Sequence, residues 1–285
     1  TKGWVNYSKL YVGDYILAFN PDTNKSEWQQ VTNLHVLNYD GDMYTFNSKH
    51  CGIQSTNYHR WYTTNKRLDK FKVSTSEEIF EKSKTSNVRI PIVAEHNFDR
   101  ITDVYEDWFI ALCGWYLTDA SLKGGKRVRI VQSVNANPDK VDHIETLLSS
   151  STLHYNKSIG SNGLVSWVLS ADDSKLFTDI LPGRKLNMNF ISSLNKDHLD
   201  ILLYNMRLGD GWSIFASGDK EQAQLVQAIV TLLGKTSSMF ILSKPGDRSY
   251  FKDRKPSKFG QEYVESKKFS YGIKFSDSKT IHTNS

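Results

Sequence analysis

Asp119 and Asp210 stand in matching surroundings, 91 positions apart. Each closes an apolar stretch: Leu112-Cys113-Gly114-Trp115-Tyr116-Leu117-Thr118-Asp119-Ala120 and Leu203-Tyr204-Asn205-Met206-Arg207-Leu208-Gly209-Asp210-Gly211. If both stretches are helices, both acids sit at a C-terminus. The macrodipole is negative there, and an acid costs roughly 0.3–1 kcal/mol. Two carboxylates held together repel unless a cation fills the gap. Oxygen-only ligation suits Mg²⁺, with waters and phosphate oxygens completing its shell. Metal held that way can activate water and stabilise the leaving oxygen of a phosphodiester. The residues alone leave a second reading open, in which both acids merely end their helices.

The elements that position these acids are legible in part. Ala111, Gly114 and Thr118 recur at spacings of three and four, and Asn205 and Gly209 lie four apart. Such spacings put each set on one helix face. Small residues let two backbones approach closely. Helices packed side by side in parallel would bring Asp119 to Asp210.

Around them the chain reads as a diverged internal repeat. Residues 104–122 are nearly all apolar, 127–134 alternate as a strand, and 138–151 carry Val141, Ile144, Leu147 and Leu148 on one helical face. Strands follow at 154–158 and 164–170, then a helix at 172–181 with Asp172 or Asp173 as N-cap. The second unit reads as a helix at 198–208, a strand at 212–217, a helix at 220–233 and strands at 238–242 and 249–252. Helix, strand, helix, strands is thus the order expected twice.

The first hundred residues read as β throughout. Strand signals at 11–19, 28–37, 43–46, 52–62 and 71–74 are separated by turn compositions such as Asn20–Lys25. Residues 263–285 alternate again and read as strands of the same module, so the repeats are expected to be inserted in a β domain whose ends meet.

Composition narrows the class. The 285 residues are 39% hydrophobic and 24% charged, which excludes a wholly disordered chain, a collagen and a coiled coil. No run of 18 apolar residues suggests a membrane span, and no apolar segment opens the chain. Cys51 and Cys113 are too few for a disulfide framework or a cysteine-rich zinc site. A reduced, intracellular protein is the expectation. The net charge of +5 is weak evidence for nucleic acid, but it is concentrated. Residues 240–285 carry 10 Lys and Arg against 5 Asp and Glu. That segment is either a solvated basic tail or a run along a phosphate backbone.

The two nonapeptides resemble the paired motifs of the double-motif LAGLIDADG homing endonucleases. Gly114 and Asp119 match in the first, and Leu203, Asp210 and Gly211 in the second. Ile130-Val131-Gln132-Ser133 looks like the first DNA-contacting strand of such a repeat. Gly183-Arg184-Lys185-Leu186 lies where relatives carry a basic residue near the active site. Ala120 and Asn205 depart from motif glycines; Asn205 can still hydrogen-bond at a helix crossing. The flanks resemble the Hint fold of inteins: Val12–Ala18 is similar to its early Gly-Asp strand, and Thr56-Asn57-Tyr58-His59 matches its Thr-x-x-His block. Thr1 stands where splicing needs Cys or Ser, and His282 and Asn284 are separated by one residue. The chain as it stands is therefore not expected to splice.

The resemblance implies an α+β fold: two pseudo-symmetric repeats (αββαββα-like) inserted in an all-β Hint-like domain. Its boundaries are 1–103 for the first Hint-like part, 104–195 and 196–262 for the repeats, and 263–285 for the last Hint-like strands. It implies a monomer making Mg²⁺-dependent (or other divalent) double-strand breaks in a long DNA site. Asp119 and Asp210 are the expected metal ligands and catalytic residues. Lys185 is the candidate for polarising the attacking water or stabilising the pentavalent phosphate. Its second-repeat counterpart is sought among Lys244, Lys252, Lys255 and Lys258. Gln132, Lys123, Lys126, Arg127 and Arg129 are expected at the DNA, with the active-site water network as the other reading for Gln132, since strands in the major groove read base edges through Arg and Gln while Lys anchors phosphates. Thr56 and His59 remain as a splicing-block remnant, with His59 expected to hydrogen-bond inside the β module. Tyr58, Trp61 and Tyr62, beside Arg60, Lys66 and Arg67, are either an auxiliary DNA surface or a packed β core with solvated charges. A splicing element, or a DNA-binding module without cleavage, are the alternatives.

Overall fold

Turn residues and alternation divide the N-terminal region into short strands. The computed structural model describes residues 3–47, 52–99, 104–210, 214–250, 263–276 and 279–282. Gly211, Lys252, Lys255, Lys258, Cys51, Thr1 and the residues after His282 lie outside them. Two units result. One comprises 1–100, 227–238 and 274–285, the other 101–226 and 239–273.

In the first unit β1 (Tyr15–Asn20) and β2 (Lys25–Gln30) form a hairpin, as do β3 (Met43–Asn47) and β4 (Gly52–Thr56). β5 (Arg60–Thr64) and β6 (Phe71–Thr75) follow, then helix α1 (Ser76–Ser83) and β7 (Arg89–Pro91). Phe46, Ile79, Val88 and Ile90 are its buried core, with Tyr44, Ile53, Trp61 and Ile92 packed on it. Two expectations are corrected here. The run 52–62 is two strands, broken by a turn in which the His59 amide donates to the Thr56 carbonyl at 3.2 Å. The module is also not all β. Thr75 and Glu78 form a capping box, each side chain bonding the other's backbone N–H, and this starts α1. Ile79 then anchors α1 in the core.

The second unit opens with α2 (Asp107–Thr118), in which Phe109 to Tyr116 are all buried. A helix apolar on every side belongs inside a fold. It stops before β8 (Ala120–Lys123), so residues 104–122 are a helix and a strand, not one element. β9 (Arg127–Ser133), α3 (Pro138–Ser149), β10 (Tyr155–Ile159), β11 (Leu164–Leu169) and α4 (Ala171–Ile180) complete the first repeat, with sheet order β10-β11-β9-β8. This is an αββαββα order. The N-cap of α4 is Ser170, whose hydroxyl accepts from the Asp173 amide, rather than Asp172 or Asp173.

A 3₁₀ turn at Pro182–Arg184 and a short helix, α5 (Met188–Ser192), lead to α6 (Lys196–Asp210). β12 (Ile214–Ser217), α7 (Lys220–Leu232), β13 (Thr236–Ser243), β14 (Arg248–Tyr250), β15 (Tyr263–Glu265), β16 (Ser270–Ser276) and β17 (Thr280–His282) follow. Among the described residues one strand, β12, stands between α6 and α7, where the first repeat has β8 and β9 between α2 and α3. β17 pairs with β7, which joins the end of the chain to the N-terminal module. β16 instead lies between β12 and β13, and β15 pairs with β14. The region 263–285 is therefore shared and does not belong wholly to that module.

Candidate active site at the paired helix ends

The crossing of α2 and α6 positions the acids. A Cβ placed on Gly114 would stand 2.6 Å from the Asn205 Cβ and 3.1 Å from the Leu202 carbonyl oxygen. One placed on Gly209 would stand 2.7 Å from the Thr118 Cβ. Position 114 thus meets 205 and position 118 meets 209, which makes the helices parallel. Asn205 fastens the crossing. Its Nδ2 donates to the Ile201 carbonyl, which leaves Oδ1 to accept from Trp115 Nε1 at 3.0 Å and from His143 Nε2 at 2.8 Å. His143 therefore carries its proton on Nε2. The motif departure at 205 is a hydrogen-bonded core residue.

Asp119 is the C-cap of α2, and Asp210 is the last residue of α6. Asp119 accepts a bond from Gln132 Nε2 at 2.6 Å, and Asn137 in turn donates to Gln132 Oε1. Asp210 keeps an exposed side, yet its carboxyl pKa is pushed up to about 6. Partial burial is the larger cause and the Asp119 charge the second, with Arg184 and Lys140 pulling it back. The two carboxylates therefore feel each other.

Each helix end has its own cation, and sequence reading missed both. Arg184 donates to the carbonyls of Tyr116, Leu117 and Thr118 at 2.9, 3.3 and 2.7 Å. Lys140 donates to the Gly209 carbonyl at 3.0 Å, with its ammonium 5.9 Å from the centre of the Trp115 ring. These satisfy carbonyls that a helix end leaves orphaned and offset its negative pole. Arg184 adopts φ +59°, the left-handed region that costs a non-glycine residue roughly 1–2 kcal/mol. Its three carbonyl bonds hold that conformation. Lys185, the neighbour selected from sequence, is elsewhere. Its ammonium is 2.9 Å from Asp219 Oδ2, and that carboxylate raises its pKa. Lys244 is exposed in the turn after β13.

The other expected residues divide by strand face. In β9, Val128, Ile130 and Gln132 are buried toward the helices. Arg127 and Arg129 lie on the opposite face, so Gln132 points to Asp119 and is not beside them. Arg127 is paired with Lys123, Arg129 with Ser121, and Val168 with Arg129. Through this register the open face collects Lys123, Arg127 and Arg129 with Ser121, Ser133, Ser158 and Asn156, and no carboxylate. Arg129 Nε donates to Ser166 Oγ at 3.0 Å. Lys126 is exposed in the β8–β9 turn.

In the first unit Thr56 ends β4, and the His59 ring is exposed, 4.4 Å from the Trp61 ring centre. The expectation of an interior hydrogen-bonded His59 is corrected: the turn carries its side chain to the surface. Trp61 packs toward the core and donates to Ser76 Oγ, whereas Tyr58 is 76% exposed.

A hard divalent cation fits the donor set, with two mutually repelling carboxylates and a carboxamide beside one of them. Among the described residues, no group of three or more His, Cys, Asp and Glu gathers to hold a metal, so remaining ligands would be carbonyls, water or substrate. No helix of the described residues is long and apolar enough to cross a membrane.

No protein-family model and no curated protein matches this chain. Several solved structures are similar to it. A variant of I-DmoI in complex with its target DNA in the presence of Mg aligns with 15% identity over 60% of this chain and 89% of that one, at a TM-score of 0.40. I-DmoI in complex with DNA and Mn aligns with 14% identity over 60% and 89%, at 0.39. Mesophilic variants from the homing endonuclease I-DmoI align with 13% identity over 60% and 88%, at 0.37.

Proposed function

We propose that this chain is a LAGLIDADG-type endonuclease that hydrolyses phosphodiesters in both strands of a long duplex DNA site. The observation that carries the reading is the pair Asp119 and Asp210, set at matching ends of two parallel helices that touch through Gly114 and Gly209. Acids at two helix ends, with mutual repulsion at Asp210, make poor structural residues and good ligands for a divalent cation. When bound, Mg²⁺ supplies an activated water and charge stabilisation at the leaving oxygen. Gln132 fixes the orientation of Asp119. Arg184 and Lys140 hold the helix ends and leave positive charge beside the carboxylates. Lys123, Arg127 and Arg129 present cations and hydrogen-bond donors on an acid-free sheet face, which suits phosphates and base edges. Lys185 is assigned no catalytic role in this reading.

The first unit is read as the Hint-like domain into which the nuclease is inserted. Support comes from β17, whose pairing with β7 closes one sheet from segments on both sides of the nuclease unit.

The test is cleavage of a DNA library bearing candidate target sites, with Mg²⁺, with EDTA and with the D119N variant. Double-strand cuts that need Mg²⁺ and vanish in D119N are expected. Binding without cuts in Mg²⁺ would favour the DNA-binding module.

A further inference from the structure

The first unit holds a cavity of about 310 Å³ lined by Thr64, Asn65, Lys70, Lys72, Lys82 and Asn87, among others. That volume is near the lower end for small-molecule sites. Four features set it apart. Its wall carries three lysines and no carboxylate. Nearby acids are engaged elsewhere: Glu81 takes the Lys84 ammonium at 2.7 Å on both oxygens, and Asp69 accepts from Asn65. Lys72 from β6 and Lys82 from the last turn of α1 line the same wall. Lys72, through its side-chain contact and its charge, holds the Lys82 pKa below its ordinary value. Two ammonium groups on flexible stems separate unless something favours their meeting. Thr64 Oγ1, in the same wall, is buried without a hydrogen-bond partner. An unpaired buried hydroxyl costs free energy unless a polar group reaches it, which an oxyanion in this cavity can do.

We propose that this cavity binds a phosphate-type oxyanion, gripped between Lys72 and Lys82 with Lys70 at its side. The anion bridges the two ammonium groups and turns their repulsion into a shared ion contact. A free phosphate or pyrophosphate and a backbone phosphate of DNA offer the same chemistry. The proposal does not rest on the nuclease reading, because its residues lie in the other unit.

Thermal unfolding of the whole chain, titrated with inorganic pyrophosphate and separately with a 20-base-pair duplex, tests it. The K72M and K82M variants serve as comparisons; both lysines are exposed, so the fold tolerates their loss. Pyrophosphate is expected to raise the midpoint of the unmodified chain, with apparent affinity about tenfold weaker in each variant. Without anion, each variant is expected to melt at or above the unmodified chain, since a like-charge contact is gone. A duplex response weakened in both variants, with none to pyrophosphate, supports the site and assigns it to DNA. Equal responses in the variants and the unmodified chain, or no response to either probe, would overturn it. D119N keeps the response even where cleavage is lost, which separates this proposal from the nuclease.

Discussion

Thr118 of α2 faces Gly209 of α6 so closely that a Cβ at position 209 would stand 2.7 Å from the Thr118 Cβ. Asp119 and Asp210 are the next residues along each helix, so this contact sets how near the carboxylates come. G209A should push the helix ends apart. Overpacking costs about 1–3 kcal/mol, and cleavage should fall by more than stability alone explains. Thermal unfolding and single-turnover cleavage of G209A, beside a control substitution on an exposed helix face, check this. Unchanged cleavage would show that the crossing does not set the carboxylate geometry.

N205A should destabilise the second unit by about 1–3 kcal/mol, because it strands the buried Trp115 indole donor and frees the half-buried His143 ring. Chemical denaturation followed by Trp fluorescence measures the loss.

R184K tests the cation at the end of α2. A lysine is a point charge and cannot fork across three carbonyls. It must also hold the left-handed backbone without the bonds that favour it. The variant should keep near-normal DNA binding and lose divalent-dependent cleavage at least tenfold. K185M should change little, because Lys185 is occupied by Asp219. The reverse ranking would restore Lys185 as the catalytic cation.

The pH dependence follows from Asp210, whose folded pKa of about 6 exceeds the ordinary carboxylate value of 3.8. Between those values the folded chain binds more protons than the unfolded one. Metal-free stability therefore declines as pH rises from about 4 to 6. A divalent cation needs the ionised carboxylate, so its affinity should weaken up to about tenfold per pH unit below 6 and level off above it. Calorimetric titration of Mg²⁺ or Mn²⁺ from pH 5 to 8 reads this directly. A flat profile would argue that Asp210 is not a ligand.

Residue spacing revealed the helix pair and its acids, because Gly114 and Thr118 interrupt the apolar α2 at the same spacing at which Asn205 and Gly209 stand on α6. The cations were hidden. Arg184 and Lys185 are adjacent and chemically alike in a sequence, and only the left-handed turn at Gly183–Arg184 decides which one reaches α2. Lys140 lies on α3, 69 positions from the carbonyl it caps, and no local pattern connects them. Helix α1 was missed because Thr75-Ser76-Glu77-Glu78 follows a strand without a break, and only the capping box marks its start. Gln132 was found, but its role depended on strand phase: one step along β9 separates the Asp119 side from the open cationic face.

D210N, followed for stability without metal and for cleavage with it, tests whether the paired acids hold the divalent cation. Asparagine keeps the shape and removes the charge that Asp119 repels. The metal-free melting midpoint at pH 7.5 is expected to equal or exceed that of the unmodified chain, together with loss of Mg²⁺-dependent double-strand cutting. Retained cutting in a stable D210N would contradict it.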